Sequence, residues 1–549
     1  MMNRKWILIC SLALVLVSVI LYKDVVDYDF VNLDDETYVY ENLNIREINA
    51  KNLKTIFLEP YFVNYQPLAI MSYAFDYKFS ELNAKGFHLT NVIIHVINAI
   101  LVLFLLHLIT GNVIFSLTIA LIFAVHPVQV ETVAWISERK GLLCTLFYLL
   151  SFMSYIKFSR GSKKGFYILS IILLILALLA KPMAVTLPLI LILYDYYENK
   201  LCRKKLIEKV PFFIISIAFS LLVFFIQKNE GSVATSELMS FSQNILMAFY
   251  NVGFYIDKLM LPRNLSVFYA HSTPFSYISL KALIGQGMIV ACILYLVNFK
   301  RINRGVNFGI LFFLISLLPI IRLVPIGATY AADRYMYVPM LGLFFALGMI
   351  IISFQKARPE SKVRARAFFV IIPIFIVCLS MAAVSQTKVW KNSYTLWSKV
   401  VAIGDPSDNA YLGLGKFHSS KEEYGEAVKY FLKVEKSTSP LWREMALFNL
   451  GLCYFKMKNY DESRAHLLTL TKDYPETIAV SSSDIYMLLA RTSAFMNFLD
   501  DADKYFKRSL GFNPKNVRAH YYYALLFESI GNDAKAKEHF DLSEQYNKK

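Results

Sequence analysis

The chain has 549 residues, 56% of them hydrophobic and 15% aromatic, with a mean hydropathy of +0.45. Soluble domains average about 45–50% apolar residues, so this composition excludes a wholly water-soluble protein. Lysine and arginine outnumber aspartate and glutamate 57 to 41, and the excess lies in residues 1–389 (35 against 21), fading to 22 against 20 from Trp390 onward. A basic excess confined to the apolar part reports membrane topology; with no continuous basic face and no nucleic-acid motif, it excludes a nucleic-acid partner.

The first apolar run, Trp6 to Tyr22, follows Arg4 and Lys5. Its far flank lacks a small-x-small cleavage pattern, so it is predicted to stay as an anchor. Apolar runs of about 17–25 residues can cross the hydrocarbon core. Eleven spans are predicted, near 6–22, 88–109, 112–127, 141–157, 165–181, 183–197, 210–227, 280–298, 306–323, 335–353 and 367–385. With the N-terminus cytoplasmic, this count puts each basic cluster inside: Arg4/Lys5, Lys157/Arg160/Lys163/Lys164, Lys200/Arg203/Lys204/Lys205, Lys300/Arg301/Arg304 and Lys356/Arg358/Lys362/Arg364/Arg366. The stretch 244–261 carries Asn251, Asp257 and Lys258, and is expected to lie in the interface or re-enter rather than cross. An odd number of crossings places the C-terminal region outside, with the first loop, 23–87. That loop has eleven acidic residues against six basic ones, the reverse of the cytoplasmic loops.

After residue 405 the pattern changes to repeats. AsnAlaTyrLeuGlyLeuGly (409–415), PheAsnLeuGlyLeuCysTyr (448–454), TyrMetLeuLeuAla (486–490) and TyrTyrTyrAlaLeu (521–525) each precede a second small-and-aromatic set. Ala502 to Ala536 and Phe506 to Phe540 are both 34 residues apart, the tetratricopeptide (TPR) period. The fold class is therefore all-α: a polytopic helical bundle over 1–389, then an α-solenoid of helical hairpins over 390–549 whose concave face suits an extended polypeptide. The six cysteines are scattered with no CxxC pair, so neither a disulfide framework nor a zinc site is expected.

Charges near the outer membrane surface carry the chemistry. Asp34 and Asp35 are adjacent, about twelve residues past the first span. Neighbouring carboxylates repel, which raises one pKa and suits a general base or a metal ligand. The plain alternative is a helix cap on a turn running through Asn42. Arg139 and Lys140 in the loop 126–141, Lys181 at a span end and Arg334 before the next span are outward cations that suit a phosphate-bearing substrate. Snorkelling anchors would read the same way. His88, His126 and Glu131 are further candidates to line a site, and a packing role is open for each histidine.

The strings AsnLeuAspAspGluThrTyrValTyrGluAsn (32–42), TyrGlnProLeuAlaIleMetSerTyrAlaPheAspTyr (65–77), PheHisLeuThrAsnValIleIleHis (87–95), HisProValGlnValGluThrValAlaTrpIleSerGluArgLysGlyLeuLeu (126–143) and AspArgTyrMetTyrValPro (333–339) resemble the GT-C glycosyltransferases that carry TPR repeats, the protein O-mannosyltransferases and their bacterial homologues. The resemblance covers nearly the whole chain. It implies a sugar moved from a polyprenyl-phosphate donor to an acceptor hydroxyl at the extracytoplasmic face. Asp35 or Asp34 would take the hydroxyl proton, and Arg139, Lys181 and Arg334 would hold the donor phosphate. A divalent metal is compatible with the resemblance and not required by it. The acceptor is expected to be polypeptide serine or threonine held by the repeats; a lipid or cell-surface glycan acceptor, and a non-enzymatic scaffold for envelope assembly, are the alternatives. Gln66 stands where animal relatives often have arginine. High Lys, Asn, Ile and Tyr content leads to the expectation of a bacterial inner membrane.

Overall fold

The computed structural model describes residues 4–229, 241–269, 303–321, 331–357 and 362–547, apart from residues 63, 162, 405, 406, 476 and 478, with 283, 286 and 287 as isolated positions. Among these residues the protein is helical, with no strand beyond one isolated bridge between Tyr61 and Asn64. It divides into two compact units, Met1–Leu396 and Trp397–Lys549.

Among the described residues, five helices of the first unit are long and apolar enough to cross a membrane: Lys5–Asp27, Ala84–Thr110, Ile136–Ser159, Arg203–Asn229 and Val370–Trp390. A sixth arises if Val113–Val125 and Pro127–Ala134, bent by 53°, form one broken span. The expected count of eleven is thus not supported, and the reason is helix length. Gly165–Ala180, Pro182–Tyr197, Arg304–Leu317 and Met340–Gln355 are apolar but of only 10–17 residues. At 1.5 Å per residue, a 16-residue helix is about 24 Å long, short of a hydrocarbon core of about 30 Å. Prolines set several of these breaks: Pro127 and Pro182 each open a new turn immediately after a helix end. The span expected at 280–298 lies almost wholly outside the described residues, as do Lys300, Arg301, Arg322 and Arg358.

Helices Arg203–Asn229 and Val370–Trp390 leave apolar side chains such as Ile214, Ile217, Phe225, Ile371 and Ile374 exposed, a surface suited to lipid. The helices starting at Arg304 and Met340 instead meet backbone to backbone. A Cβ on Gly309 would stand 2.5 Å from the Ala346 nitrogen, and one on Gly342 2.5 Å from the Phe313 nitrogen. Small residues allow this approach, as in other apolar helix pairs. Segment 244–261 belongs to the helix Phe241–Met260, which is not among the candidate spans. Its Tyr255 hydroxyl accepts from the Ala332 N–H at 3.4 Å, tying it to the segment that carries Arg334.

The first loop is a folded cap. Asn42, Asn49 and Asn83 begin three helical segments, each accepting a backbone N–H on its side-chain oxygen. Tyr38, Val39, Ile45, Ile56, Ile70, Tyr73 and Phe87 pack with Ile136 into one apolar cluster, which fixes the loop against the segment 130–139.

The second unit contains four helical hairpins: Asp408–Ser420 with Tyr424–Glu435, Pro440–Lys456 with Tyr460–Asp473, Ser482–Phe495 with Leu499–Phe512, and Val517–Ser529 with Asp533–Asn547. The first helix of each hairpin also packs on the first helix of the next. Gly415 lets the Phe431 ring fill the first hairpin, because a Cβ there would come within 2.4 Å of that ring. Ala502, Phe506, Ala519 and Tyr523 close the third and fourth hairpins into one core.

Candidate active site

The segment 130–139 folds as two short turns, Val130–Ala134 and Ile136–Glu138, hinged at Trp135, before the helix Arg139–Ser159 begins. This break sets the direction of each charged side chain on it. Asp35 sits against the second turn and is 1% exposed. Its Oδ1 accepts from the Ser137 N–H at 2.9 Å and from the Ser137 hydroxyl, and its Oδ2 accepts from the Val31 N–H at 3.1 Å. The cap reading is not what forms: the turn Glu36–Tyr40 starts at Asp35 with no side-chain cap bond. Burial pushes the Asp35 carboxyl up to about 6, although the bonds from Ser137 and Val31 pull the other way; Asp34 beside it adds to the rise. Asp34 is more open, at 35% exposure, and faces the Lys140 ammonium at 3.6 Å.

Three cations gather beside this carboxylate pair. Lys140 lies over the rings of Tyr38 and Trp135, at 5.1 and 5.6 Å. Arg334 stacks on the other side, 5.2 Å from the Trp135 ring and 5.1 Å from that of Tyr335. Its guanidinium and its backbone N–H both donate to Glu131. Lys181 donates to Glu138 Oε1, and Arg334 Nε stands 3.9 Å from Glu138 Oε2. Lys181 and Arg334 then border a narrow cleft with a cavity volume of about 30 Å³, walled by Cys144, Tyr148, Met183, Tyr337 and Val338. The cleft is walled mainly by apolar side chains and headed by two cations.

Not every residue read from the sequence joins this cluster. Asp34, Asp35, Lys181, Arg334 and Glu131 do. Arg139 does not: it is fully buried and turned toward Asp76, Asn91 and the carbonyls of Phe87 and Ser72, with the Tyr73 ring 4.9 Å away. One position along a helix rotates a side chain by about 100°, and Lys140 takes the place expected for Arg139. His126 is a packing residue, its Nδ1 accepting from the Val128 N–H and its Nε2 donating to the Leu259 carbonyl at 3.0 Å. His88 is buried edge-on to Tyr28, with ring centroids 6.5 Å apart. Ser137 and Glu138 are site residues that the sequence reading passed over. Glu131 and Glu138 are seven apart, two turns of an uninterrupted helix, and that spacing was the available signal. Asp333 is also buried and pushed up to about 8 by burial and by the charge of Glu131, and it accepts from the Tyr269 hydroxyl at 2.6 Å. Among the described residues, no three His, Cys, Asp or Glu side chains gather as a metal-binding set.

Comparison with known proteins places this geometry in context. The tetratricopeptide repeat model matches residues 408–438 and 445–477. Protein O-mannosyl-transferase TMTC3 of Mus musculus is 21% identical over 92% of this chain and 60% of its own length, and the Homo sapiens protein of that name 22% identical over the same shares. Over most of its length the chain is similar to protein O-mannosyl-transferases, and it bears TPR repeats. Protein O-mannosyl-transferase TMTC4 of Mus musculus is 23% identical over 67% of this chain and 57% of its own length. The chain thus spans about 60% of the length of the first two relatives. With its apolar helices it is a membrane protein.

Proposed function

We propose that this protein is a GT-C-type glycosyltransferase that moves a sugar from a polyprenyl-phosphate donor to serine or threonine hydroxyls of a polypeptide at the extracytoplasmic face of a bacterial inner membrane. The name of its relatives favours mannose as the sugar. One observation carries the reading: a buried, basic-shifted carboxylate stands one residue from a cation-headed apolar cleft, because Ser137 binds Asp35 while its neighbour Glu138 binds Lys181.

The chemistry follows from the residues in place. The acceptor hydroxyl replaces the Ser137 hydroxyl on Asp35 Oδ1, and the carboxylate takes its proton as the oxygen bonds to the anomeric carbon. The bond from that carbon to the phosphate oxygen breaks, and the oxygen leaves with the electron pair. Lys181 and Arg334 offset the growing negative charge. Lys140 fills the part first read for Arg139. The polyprenyl chain lies along the apolar wall of the cleft, and the repeats hold the acceptor polypeptide. Orientation follows from the basic clusters: N-terminus inside, first loop and repeats outside.

The test is transfer of radiolabelled mannose from polyprenyl-phosphate mannose to a serine- and threonine-rich peptide by the purified full chain. Label on the peptide supports the reading; donor left intact by a folded protein, with peptide supplied, contradicts it.

A further inference from the structure

Resting on that donor reading, one carboxylate of the cluster has a role of its own. Glu138 is fully buried, yet among the described residues only one of its oxygens accepts a hydrogen bond. Oε1 accepts from Lys181, whereas Oε2 accepts none and has the Arg334 Nε at 3.9 Å. Glu131 differs. It takes both the side chain and the backbone N–H of Arg334, and that double bond pattern fixes it. The bonds set the order in which the two carboxylates give way: Glu138 first.

The charges show why a yielding carboxylate is useful. Lys181 and Arg334 are both more than four-fifths buried, and uncompensated cations at that depth cost several kcal/mol each. While no anion from outside is bound, Glu131 and Glu138 supply two negative charges to two positive ones. A phosphate arriving at Lys181 would meet the Glu138 carboxylate on the same ammonium and be repelled by it, unless that carboxylate leaves. Gly141, one turn along the helix from Glu138, lines the cleft, and a Cβ on it would meet Glu138 Oε1 at 2.5 Å. The carboxylate therefore lies in a slot that only glycine leaves open.

We infer that Glu138 is a resident counter-ion occupying the phosphate position on Lys181, displaced by the donor phosphate and returning when polyprenyl phosphate departs. It is a positioning residue: it holds Lys181, faces Arg334 with its other oxygen, and competes with the phosphate for them. A consequence is easy product release, since the returning carboxylate helps to expel the leaving phosphate.

The experiment is binding of polyprenyl monophosphate to the full chain in detergent, read from Trp135 fluorescence beside Arg334, with thermal unfolding recorded for every variant. Glu138→Gln keeps one acceptor for Lys181 and removes the competing charge, so it binds polyprenyl phosphate about tenfold more tightly, as removal of a like charge from a site does. It also lowers KM for the donor and lowers kcat through slow product release. A folded Glu138→Gln protein that binds no more tightly than wild type overturns the counter-ion role while leaving the donor reading in place. No binding of polyprenyl phosphate by any folded variant, wild type included, overturns both.

Discussion

Asp35 and Arg139 are both buried charged residues, and the structure separates them by what surrounds each. Asp35 is raised from 3.8 to about 6 by desolvation. The sign follows directly: between about pH 4 and 6 the native state holds a proton that the unfolded chain has released, so this group makes stability fall as pH rises through that window. Activity moves the opposite way, because a base must be ionised. Initial rates measured from pH 5 to 8 should rise with a midpoint near 6, and Asp35→Asn should lose the activity at every pH. Arg139 is a clasp between the cap and the first long outer helix. Arg139→Ala leaves Asp76 without its partner and should cost about 3–5 kcal/mol, the loss expected for half of a buried ion pair. Thermal inactivation of the detergent-solubilised protein checks this, while KM for the donor in the surviving fraction should stay near the wild-type value. Lys181→Ala should raise KM for the donor and lower kcat, and because it leaves the buried Glu138 without its partner it should also lower thermal stability. The two arginines were equal on sequence, since both stand in outer segments; only the helix phase at Glu138–Arg139 tells them apart.

At the level of elements, glycines govern the close contacts. Gly415 in the first hairpin faces the Phe431 ring, so Gly415→Val overfills that hairpin and should destabilise the repeats by about 1–3 kcal/mol. Tryptic digestion of the full chain should then release fragments of the repeat region sooner than from wild type. The repeats were legible because Ala502, Phe506, Ala536 and Phe540 keep a 34-residue period that only stacked hairpins explain. The first span and the long helix Ala84–Thr110 were legible from unbroken apolar runs. So were the runs near 141–157, 210–227 and 367–385, whereas those near 165–181 and 183–197 fall in helices too short to pass as spans, cut at Pro182, and the run near 112–127 ends in the bend at Pro127. The pair Asp34–Asp35 could be picked out from its adjacent carboxylates and its place after the first span, but not which of the two is buried. The tie of Asp35 to Ser137, 102 residues away, could not, because no local pattern encodes a contact between a loop and a distant turn.

For the whole molecule, the account requires the first loop to face outward and the basic loops inward. Cys202 is exposed in one of those basic loops, and Lys51 is exposed in the first loop. In intact cells a membrane-impermeant maleimide should label Lys51→Cys, and Cys202 should react only after the membrane is opened. The opposite pattern would reverse the topology and put the Asp35 cluster on the cytoplasmic side. The central claim is that this outward cluster cleaves a polyprenyl-phosphate sugar using a first-loop carboxylate. The most direct measurement is release of polyprenyl phosphate from polyprenyl-phosphate mannose, with acceptor peptide present, by wild type and by Asp35→Asn. The account predicts release by wild type and none by Asp35→Asn, with both proteins equally folded. Equal release by the two proteins would contradict it.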